Sequence, residues 1–139
     1  MQKIILDTNV VISALISNSI PTQILYELVF TQQVIVCISA PILTEYKAVL
    51  NRDKFAKFAN FKQKADFLIL QIQDLSHNFQ PNKAVDLLKD SSDNKFLELA
   101  AICQADFLIT GNYLDFTLSE FENTKIVSPR DYWDKFKPS

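Results

Sequence analysis

Acidic and amide side chains recur in this sequence at the ends of apolar runs and near the starts of helical patterns. Asp7 ends one apolar run, Glu45 follows a second, Asp93 opens a helical pattern, and Asn112 and Asp115 follow a third run. Clustered carboxylates repel each other unless they are protonated or neutralised by a cation. A hard ion such as Mg²⁺ takes oxygen ligands, and it can activate water and stabilise charge on a phosphate. If the fold brings these side chains together, they predict a metal site for phosphodiester hydrolysis.

Helix capping is the alternative explanation of the same acidic residues. Acidic side chains are common at helix starts because they accept hydrogen bonds from free N–H groups and interact favourably with the helix dipole. Capping accounts fully for Asp90 and Asp93, and partly for Asp7. It accounts poorly for Glu45, which lies beyond the first turn of its predicted helix. The spacing therefore favours the metal site over capping alone.

Apolar runs alternate with helical patterns along the chain, and this alternation predicts the fold. Buried strands are predicted at Ile4–Leu6 and Val34–Ile38, and further strands at Phe107–Thr110 and Lys125–Val127, with a short edge strand near Phe79. The pattern implies βαβ units, and we expect one domain over residues 1–139: an α/β fold, a three-layer α/β/α sandwich with a mostly parallel central sheet. Ligands bind outside the carboxyl ends of such strands, where Thr8 and Asn9 can hydrogen-bond Asp7 or cap the next helix.

Composition excludes several classes of protein. The single glycine, Gly111, rules out dinucleotide and P-loop fingerprints, which need several glycines to bring backbone close to phosphate. No apolar run is long enough to span a bilayer, so we expect no membrane association and a cytoplasmic location. Cys37 and Cys103 lie in apolar runs and are predicted to be buried, reduced thiols. The net charge of -2 neither demands nor forbids a nucleic-acid partner.

Four segments of the sequence resemble the acidic motifs of the PIN-domain nucleases, and most closely those of VapC-like bacterial toxins. They are Ile5–Val10, Ser39–Glu45, Asp90–Glu98 and Leu108–Asn112. The resemblance implies an Mg²⁺- or Mn²⁺-dependent endonuclease that cleaves single-stranded RNA and is paired with an antitoxin. It implies that the catalytic, metal-binding acids are Asp7, Glu45 and Asp93. Further metal-ligand positions are Asp90, Asn112 and Asp115, and the supporting residues are Thr8, Asn9 and Thr110.

The chain departs from the family pattern at two places. Ser91 and Ser92 replace the middle of a motif that often reads Asp-Pro-Asp-Asp, and Asn112 stands where the family often has Asp. An amide adds no negative charge, so a second ion would bind weakly. Asp115 could compensate if the backbone turns after Gly111.

Two other functions compete with the nuclease. A haloacid dehalogenase-type phosphatase needs a second Asp two residues after Asp7, but Asn9 occupies that position, so this class is disfavoured. A PIN-like module that binds RNA or protein without cutting is the stronger rival, and Asn112 is its main support. His77 is predicted to be a surface loop residue rather than a ligand.

The basic stretch Lys47–Lys64 is a second candidate RNA contact. It holds six of the 14 Lys and Arg residues, among them Arg52, Lys54 and Lys57, and its Phe residues could stack on bases. A solvated face with the Phe rings in the core is the more ordinary explanation. Apolar stripes over Ile24–Val29 and Ile42–Leu50 could contact an antitoxin or a second copy in a homodimer.

Overall fold

The computed structural model describes residues 1–111, 116 and 118–139, and strands alternate with helices along them. The strands are β1 (Lys3–Leu6), β2 (Ile35–Ile38), β3 (His77–Asn78), β4 (Phe107–Ile109), β5 (Glu120–Phe121) and β6 (Thr124–Val127). The helices are α1 (Thr8–Ile16), α2 (Ile20–Gln23), α3 (Ala40–Leu50), α4 (Phe61–Leu75), α5 (Asn94–Cys103) and α6 (Pro129–Asp131). Helices α2 and α6 continue as π-helical segments, Ile24–Val29 and Tyr132–Phe136, and 3₁₀ turns form at Asp53–Phe55 and Ser91–Asp93.

The strands form one sheet in the order β3-β2-β1-β4-β6-β5. Every pairing is parallel except that of β5 with β6, so the predicted three-layer α/β/α sandwich with a mostly parallel sheet is confirmed. The chain passes from β1 to β2 and β3 on one side, and it returns to place β4 on the other side of β1. The gap between β1 and β4 is therefore a topological switch point, where open α/β sheets bind ligands.

The centre of the sheet is buried on both faces. Ile4, Ile5 and Leu6 of β1 are completely buried, and all of β4 is buried. Helix α5 packs against β1 and β2, and α4 packs against β2. Continuous apolar strands are expected wherever helices cover both faces of a sheet. The strands that end at the predicted site are thus the best-packed elements of the domain.

Helices α2, α3 and α6 each begin after a serine, but these three serines differ in their capping hydrogen bonds. Ser19 and Thr22 form a reciprocal capping box at α2, and the Ser128 hydroxyl accepts a hydrogen bond from the Asp131 N–H at α6. Ser39 occupies the cap position of α3, but its side chain makes no capping hydrogen bond. Pro41 in the first turn of that helix has no N–H to donate, which removes one of the groups that a cap residue serves.

The apolar stripes predicted as partner surfaces are part of the core. The stripe residues Ile24, Leu25, Leu28 and Val29 and most of the apolar residues of Ile42–Leu50 are buried in the core, where α3 packs against α1, α4 and α5. The exposed large apolar residues near them are instead Tyr26, Phe67 and Leu70. Any apolar partner surface therefore lies on the outer side of α4 and of the segment after α2.

Several short elements differ from the expectation or refine it. Strand β5 was not predicted, because two residues are too short to show alternation. His77 was predicted to be a surface loop residue; it is exposed, but it lies in the edge strand β3.

Cys37 and Cys103 are buried free thiols, as predicted. None of the helices in the described ranges combines the length and the apolar character that crossing a membrane requires.

Candidate active site

Asp7 lies at the carboxyl end of β1, beside the end of β4, and its side chain is 6% exposed. Its Oδ1 atom accepts a hydrogen bond from the Thr8 N–H at 2.7 Å, and its Oδ2 atom accepts one from the Thr110 hydroxyl at 2.6 Å. Burial raises the pKa of Asp7 above its usual range, while these two hydrogen bonds oppose the rise and the charge of Glu45 adds to it. Asp7 thus both caps α1 and presents a rigid carboxylate at the switch point.

Glu45 reaches this same end of the sheet from the middle of α3. Its Oε2 atom accepts a hydrogen bond from the Thr8 hydroxyl, and its Oε1 atom lies 2.5 Å from Lys95 Nζ. The completely buried Tyr46 donates its hydroxyl hydrogen to the carbonyl of Leu6, the last residue of β1. This hydrogen bond ties α3 to the end of β1. Because Glu45 and Asp7 are the sequence neighbours of Tyr46 and Leu6, the same contact holds Glu45 beside the strand end that carries Asp7.

Asp93 comes from the 3₁₀ turn before α5 and is half-buried. Burial, together with the charges of Asp7, Asp90 and Glu45, raises its pKa to about 6, and the charge of Lys95 partly opposes this rise. The Asp93 side chain makes no capping hydrogen bond to α5. Asp93 is therefore at a helix start without a capping hydrogen bond, and the charges of Asp7 and Glu45 act on its carboxylate.

Asp90 behaves as the capping explanation expects. It is exposed, and its Oδ1 atom accepts hydrogen bonds from the Ser92 N–H at 3.0 Å and the Ser92 hydroxyl at 2.8 Å. These hydrogen bonds hold the pKa of Asp90 below its usual range. The Asp90 carboxylate is thus occupied within its own turn, and it acts on the site mainly through its charge beside Asp93.

Three supporting residues had been predicted. Thr8 is buried and links the two principal acids, since its N–H bonds to Asp7 and its hydroxyl to Glu45. Thr110 is completely buried beside Asp7. Asn9 is exposed on α1. The structure therefore places Thr8 and Thr110 in contact with the acids, and it turns Asn9 towards solvent.

Sequence reasoning missed two side chains that hold the loop before Asp90. Asn94 is buried, and its Oδ1 atom accepts hydrogen bonds from the N–H groups of Leu87 at 3.2 Å and Leu88 at 3.0 Å. Glu98 accepts one from the Val85 N–H at 2.9 Å. A polar residue at the first position of an apolar helix was the available signal. These contacts fix the approach of the chain to the acidic turn.

Lys95 is the other residue that sequence reasoning missed. It follows Asp93 by two residues, so nothing in the spacing showed that its ammonium group would cross to α3. In the first turn of α5 a positive charge is disfavoured by the helix dipole. That unfavourable position was the only sequence signal, and it is explained by the acids that Lys95 faces.

The donor chemistry fits a hard cation, although no ready-made ligand cage is present. Within the described ranges, no group of three or more His, Cys, Asp or Glu side chains is close enough to hold an ion. Mg²⁺ usually takes only one or two carboxylates and keeps water as its other ligands. The carboxylates of Asp7 and Glu45, joined through Thr8, meet that requirement, and Asp93 lies within electrostatic range of both.

The predicted fourth position is Asn112 or Asp115, and both residues lie outside the described residues. The turn that was expected to depend on Gly111 can be examined at Gly111 itself. Its backbone is not in the left-handed region, and a Cβ atom there would meet no atom within 4 Å. The conformation at Gly111 itself therefore does not require glycine, and the turn predicted to follow it lies outside the described residues.

The predicted RNA-contacting residues Arg52, Lys54 and Lys57 are all exposed around the 3₁₀ turn after α3. The rings of Phe55 and Phe61 are buried and stack on each other with centroids 5.2 Å apart. These rings belong to the core, so they are not free to stack on bases. The cations remain available to a polyanion, and the ordinary explanation holds for the two aromatic side chains.

Comparison with known proteins gives a family for this chain. A family model described as PIN domain matches residues 3–114. An uncharacterized protein of Methanocaldococcus jannaschii, MJ1680, is 29% identical over 145 aligned positions that cover 97% of this chain and 92% of that protein. A chain in the structure of FitAB bound to the IR36 DNA fragment shares the fold with a TM-score of 0.54 and 16% identity, over 91% of this chain and 94% of that one. Because the family model matches well over half of its length, this chain belongs to the PIN domain family.

Proposed function

We propose that this protein is a metal-dependent endoribonuclease that cleaves single-stranded RNA, and that it is the VapC-like toxin of a type II toxin–antitoxin pair. Membership of the PIN domain family supports a nuclease. The observation that supports the proposal is that Thr8 hydrogen-bonds both Asp7, at the carboxyl end of β1, and Glu45, while the charges of these two acids raise the pKa of Asp93.

The chemistry follows from what these three carboxylates can do. A bound Mg²⁺ or Mn²⁺ ion would activate a water molecule and stabilise charge on the scissile phosphate. Asp7 is fixed by two hydrogen bonds, so its carboxylate is already oriented for ligation. Glu45 is oriented through Thr8. Asp93 is half-buried and unoccupied by a capping hydrogen bond, which leaves its oxygens available to an ion or to a water molecule.

Cleavage of an unstructured, end-labelled RNA tests the proposal. The metal-stripped protein should be inactive, and added Mg²⁺ or Mn²⁺ should restore cleavage. Asp7→Asn, Glu45→Gln and Asp93→Asn should each reduce the rate by about a hundredfold or more, because metal-centred charge stabilisation supplies several kcal/mol of the barrier reduction. Asp74→Asn, an exposed position of α4, is the matched control and should leave the rate unchanged.

Folding of each variant must be checked separately, because Asp7 is buried and its replacement can destabilise the domain. Circular dichroism and thermal unfolding provide that check. Undiminished cleavage by folded Asp7→Asn protein, or cleavage that persists in excess chelator, would contradict the metal-dependent nuclease.

A binding module without nuclease activity is the second candidate function. Two observations favour it: the described residues hold no group of three metal-ligating side chains, and Glu45 is already paired with Lys95. Such a protein would bind RNA or a protein partner equally well with and without divalent ions, and the assay above would detect no cleavage under any metal condition.

The proposed partner is a cognate antitoxin, with a homodimer as a second assembly. Tyr26, Phe67 and Leu70 provide exposed apolar surface, and a groove of about 210 Å³ lies beside Tyr26 and Phe67. We expect an antitoxin to insert Arg among the acids, because a bidentate guanidinium satisfies carboxylates as a cation does. We place this activity in the cytoplasm, where buried free thiols such as Cys37 remain reduced.

A further inference from the structure

We infer that Lys95 is an internal counter-ion, which holds Glu45 in the metal-free protein and has to be displaced from it when a divalent ion binds. The inference rests on the proposed function in that it concerns the same acidic site. Lys95 is a basic residue in a site otherwise defined by acids, and its charge would hold the carboxylates together before an ion binds.

The Lys95–Glu45 ion pair differs from the other ion pairs among the described residues. Its N···O distance is 2.5 Å, and its side chains are 20% and 23% exposed. The other pairs have distances of 3.3 to 3.7 Å, join residues four apart on a single helix, and involve side chains at least 50% exposed. The Lys95–Glu45 pair therefore links two helices, α5 and α3, in a partly desolvated place.

The charges around Lys95 explain why it lies there. Its ammonium group contacts Glu45. Its positive charge also favours the ionised forms of Asp7, Asp90 and Asp93, although burial keeps the pKa values of Asp7 and Asp93 raised overall. One cation thus faces a group of carboxylates that would otherwise repel each other. A divalent ion offers twice that charge in the same neighbourhood, so the two cations compete for the same oxygen atoms.

The geometry also allows Lys95 to leave without loss of Glu45's orientation. Lysine carries a compact ammonium group on a flexible four-carbon stem, and one fifth of this side chain is exposed. The Thr8 hydroxyl still donates to Glu45 Oε2 when Oε1 is released. Glu45 can therefore exchange Lys95 for an ion while α3 stays in place.

Calorimetric titration of Mn²⁺ into metal-stripped protein tests this exchange without any measurement of cleavage. Lys95→Met should bind Mn²⁺ about tenfold more tightly than wild type, because the substitution removes a positive charge that competes with the ion for Glu45. Lys95→Arg keeps the charge and should restore the weaker binding. In chelator, Lys95→Met should unfold more readily than wild type, and Mn²⁺ should stabilise it more.

A double-variant cycle with Glu45→Gln separates pairing with Glu45 from a general effect of charge. If Lys95 competes for Glu45, most of the gain from Lys95→Met is lost in the Glu45→Gln background. An equal gain in both backgrounds would overturn the inference, and so would unchanged or weaker Mn²⁺ binding by Lys95→Met.

The inference and the proposed function can fail separately. Tight Mn²⁺ binding with the expected effect of Lys95→Met but no RNA cleavage would contradict the nuclease alone. Metal-dependent cleavage with equal Mn²⁺ affinities for wild type and Lys95→Met would contradict the counter-ion alone. Absence of Mn²⁺ binding by wild type and by every variant would overturn the counter-ion exchange and the metal-dependent nuclease together.

Discussion

The Thr110 hydroxyl donates a hydrogen bond of 2.6 Å to Asp7 Oδ2, across the switch point between β4 and β1. The register pairs Leu6 with Ile109, so these two polar residues are the first positions beyond the paired strands. The pairing of two buried strands thereby fixes a carboxylate and its hydrogen-bond donor side by side. Two buried strands of the central sheet therefore support the candidate site.

Loss of the Thr110 hydroxyl should destabilise the protein more than loss of a comparable hydroxyl elsewhere. Thr110→Val removes a hydrogen bond to a buried carboxylate and should lower the free energy of unfolding by about 1.5–3 kcal/mol at pH 7. Thr124→Val is the matched control, because that buried hydroxyl donates at 2.6 Å to the neutral carbonyl of Ala105. Its cost should be about 0.5–1.5 kcal/mol. Urea unfolding of both variants measures the difference, and equal losses would contradict a charged Asp7.

Asp93 should make the metal-free protein less stable as pH rises. The pKa of Asp93 is about 6 in the folded protein against an ordinary value of 3.8, so the folded state binds more protons between these values. The free energy of unfolding therefore falls as pH rises from about 4 to about 6 and stays low above that range. Asp93→Asn removes this effect, so in chelator it should be more stable than wild type at pH 7 and nearly equal to it below pH 4.

Asp90→Asn should have the opposite sign and serves as the control for Asp93. The pKa of Asp90 is lowered by its hydrogen bonds to Ser92, so Asp90 contributes stability above the ordinary pKa and loses it as pH falls. The variant should therefore be less stable than wild type at pH 7. Thermal unfolding across pH 3–8 provides the measurement. A gain in stability from both substitutions would show that the net negative charge of the turn, rather than the local contacts of each residue, determines how Asp90 and Asp93 affect the stability of the protein.

Replacement of Lys54 and Lys57 by Glu should weaken RNA binding if the basic stretch contacts phosphates. Both cations are exposed, and their loss should reduce affinity while flattening its dependence on salt concentration. Lys135→Glu with Lys137→Glu, at exposed positions near the carboxyl terminus, is the charge-matched control. Binding of labelled RNA to an Asp7→Asn background at several salt concentrations measures the effect. Unchanged affinity and slope would leave the basic stretch as a solvated face.

Self-association or antitoxin binding should depend on the outer face of α4. Phe67→Ser with Leu70→Ser removes the two most exposed apolar side chains of that helix and should shift the protein towards monomer in sedimentation velocity. Leu87→Ser removes an equally exposed apolar side chain far along the chain and should change nothing. A wild-type protein that sediments as a monomer and forms no complex with a cognate antitoxin would contradict the proposed surface.

Local patterns in the sequence determined the parts of this protein that local physics controls. Three apolar residues before Asp7 predict a strand buried on both faces, and the same pattern before Thr110 predicts its neighbour. Strand ends in a parallel sheet share an edge, so a common location for Asp7, Glu45 and Asp93 was predicted without any knowledge of side-chain positions.

Only the tertiary structure decided which groups touch. Lys95 and Glu45 are 50 positions apart, and their contact depends on how α5 and α3 cross the sheet, which hydrophobic periodicity does not encode. Asp90 and Asp93 are both acids at a helix start. Asp90 is exposed and accepts hydrogen bonds from Ser92, whereas Asp93 is half-buried and has a raised pKa. Side-chain direction at a turn depends on a few local hydrogen bonds of about 1 kcal/mol each, and spacing alone does not rank them.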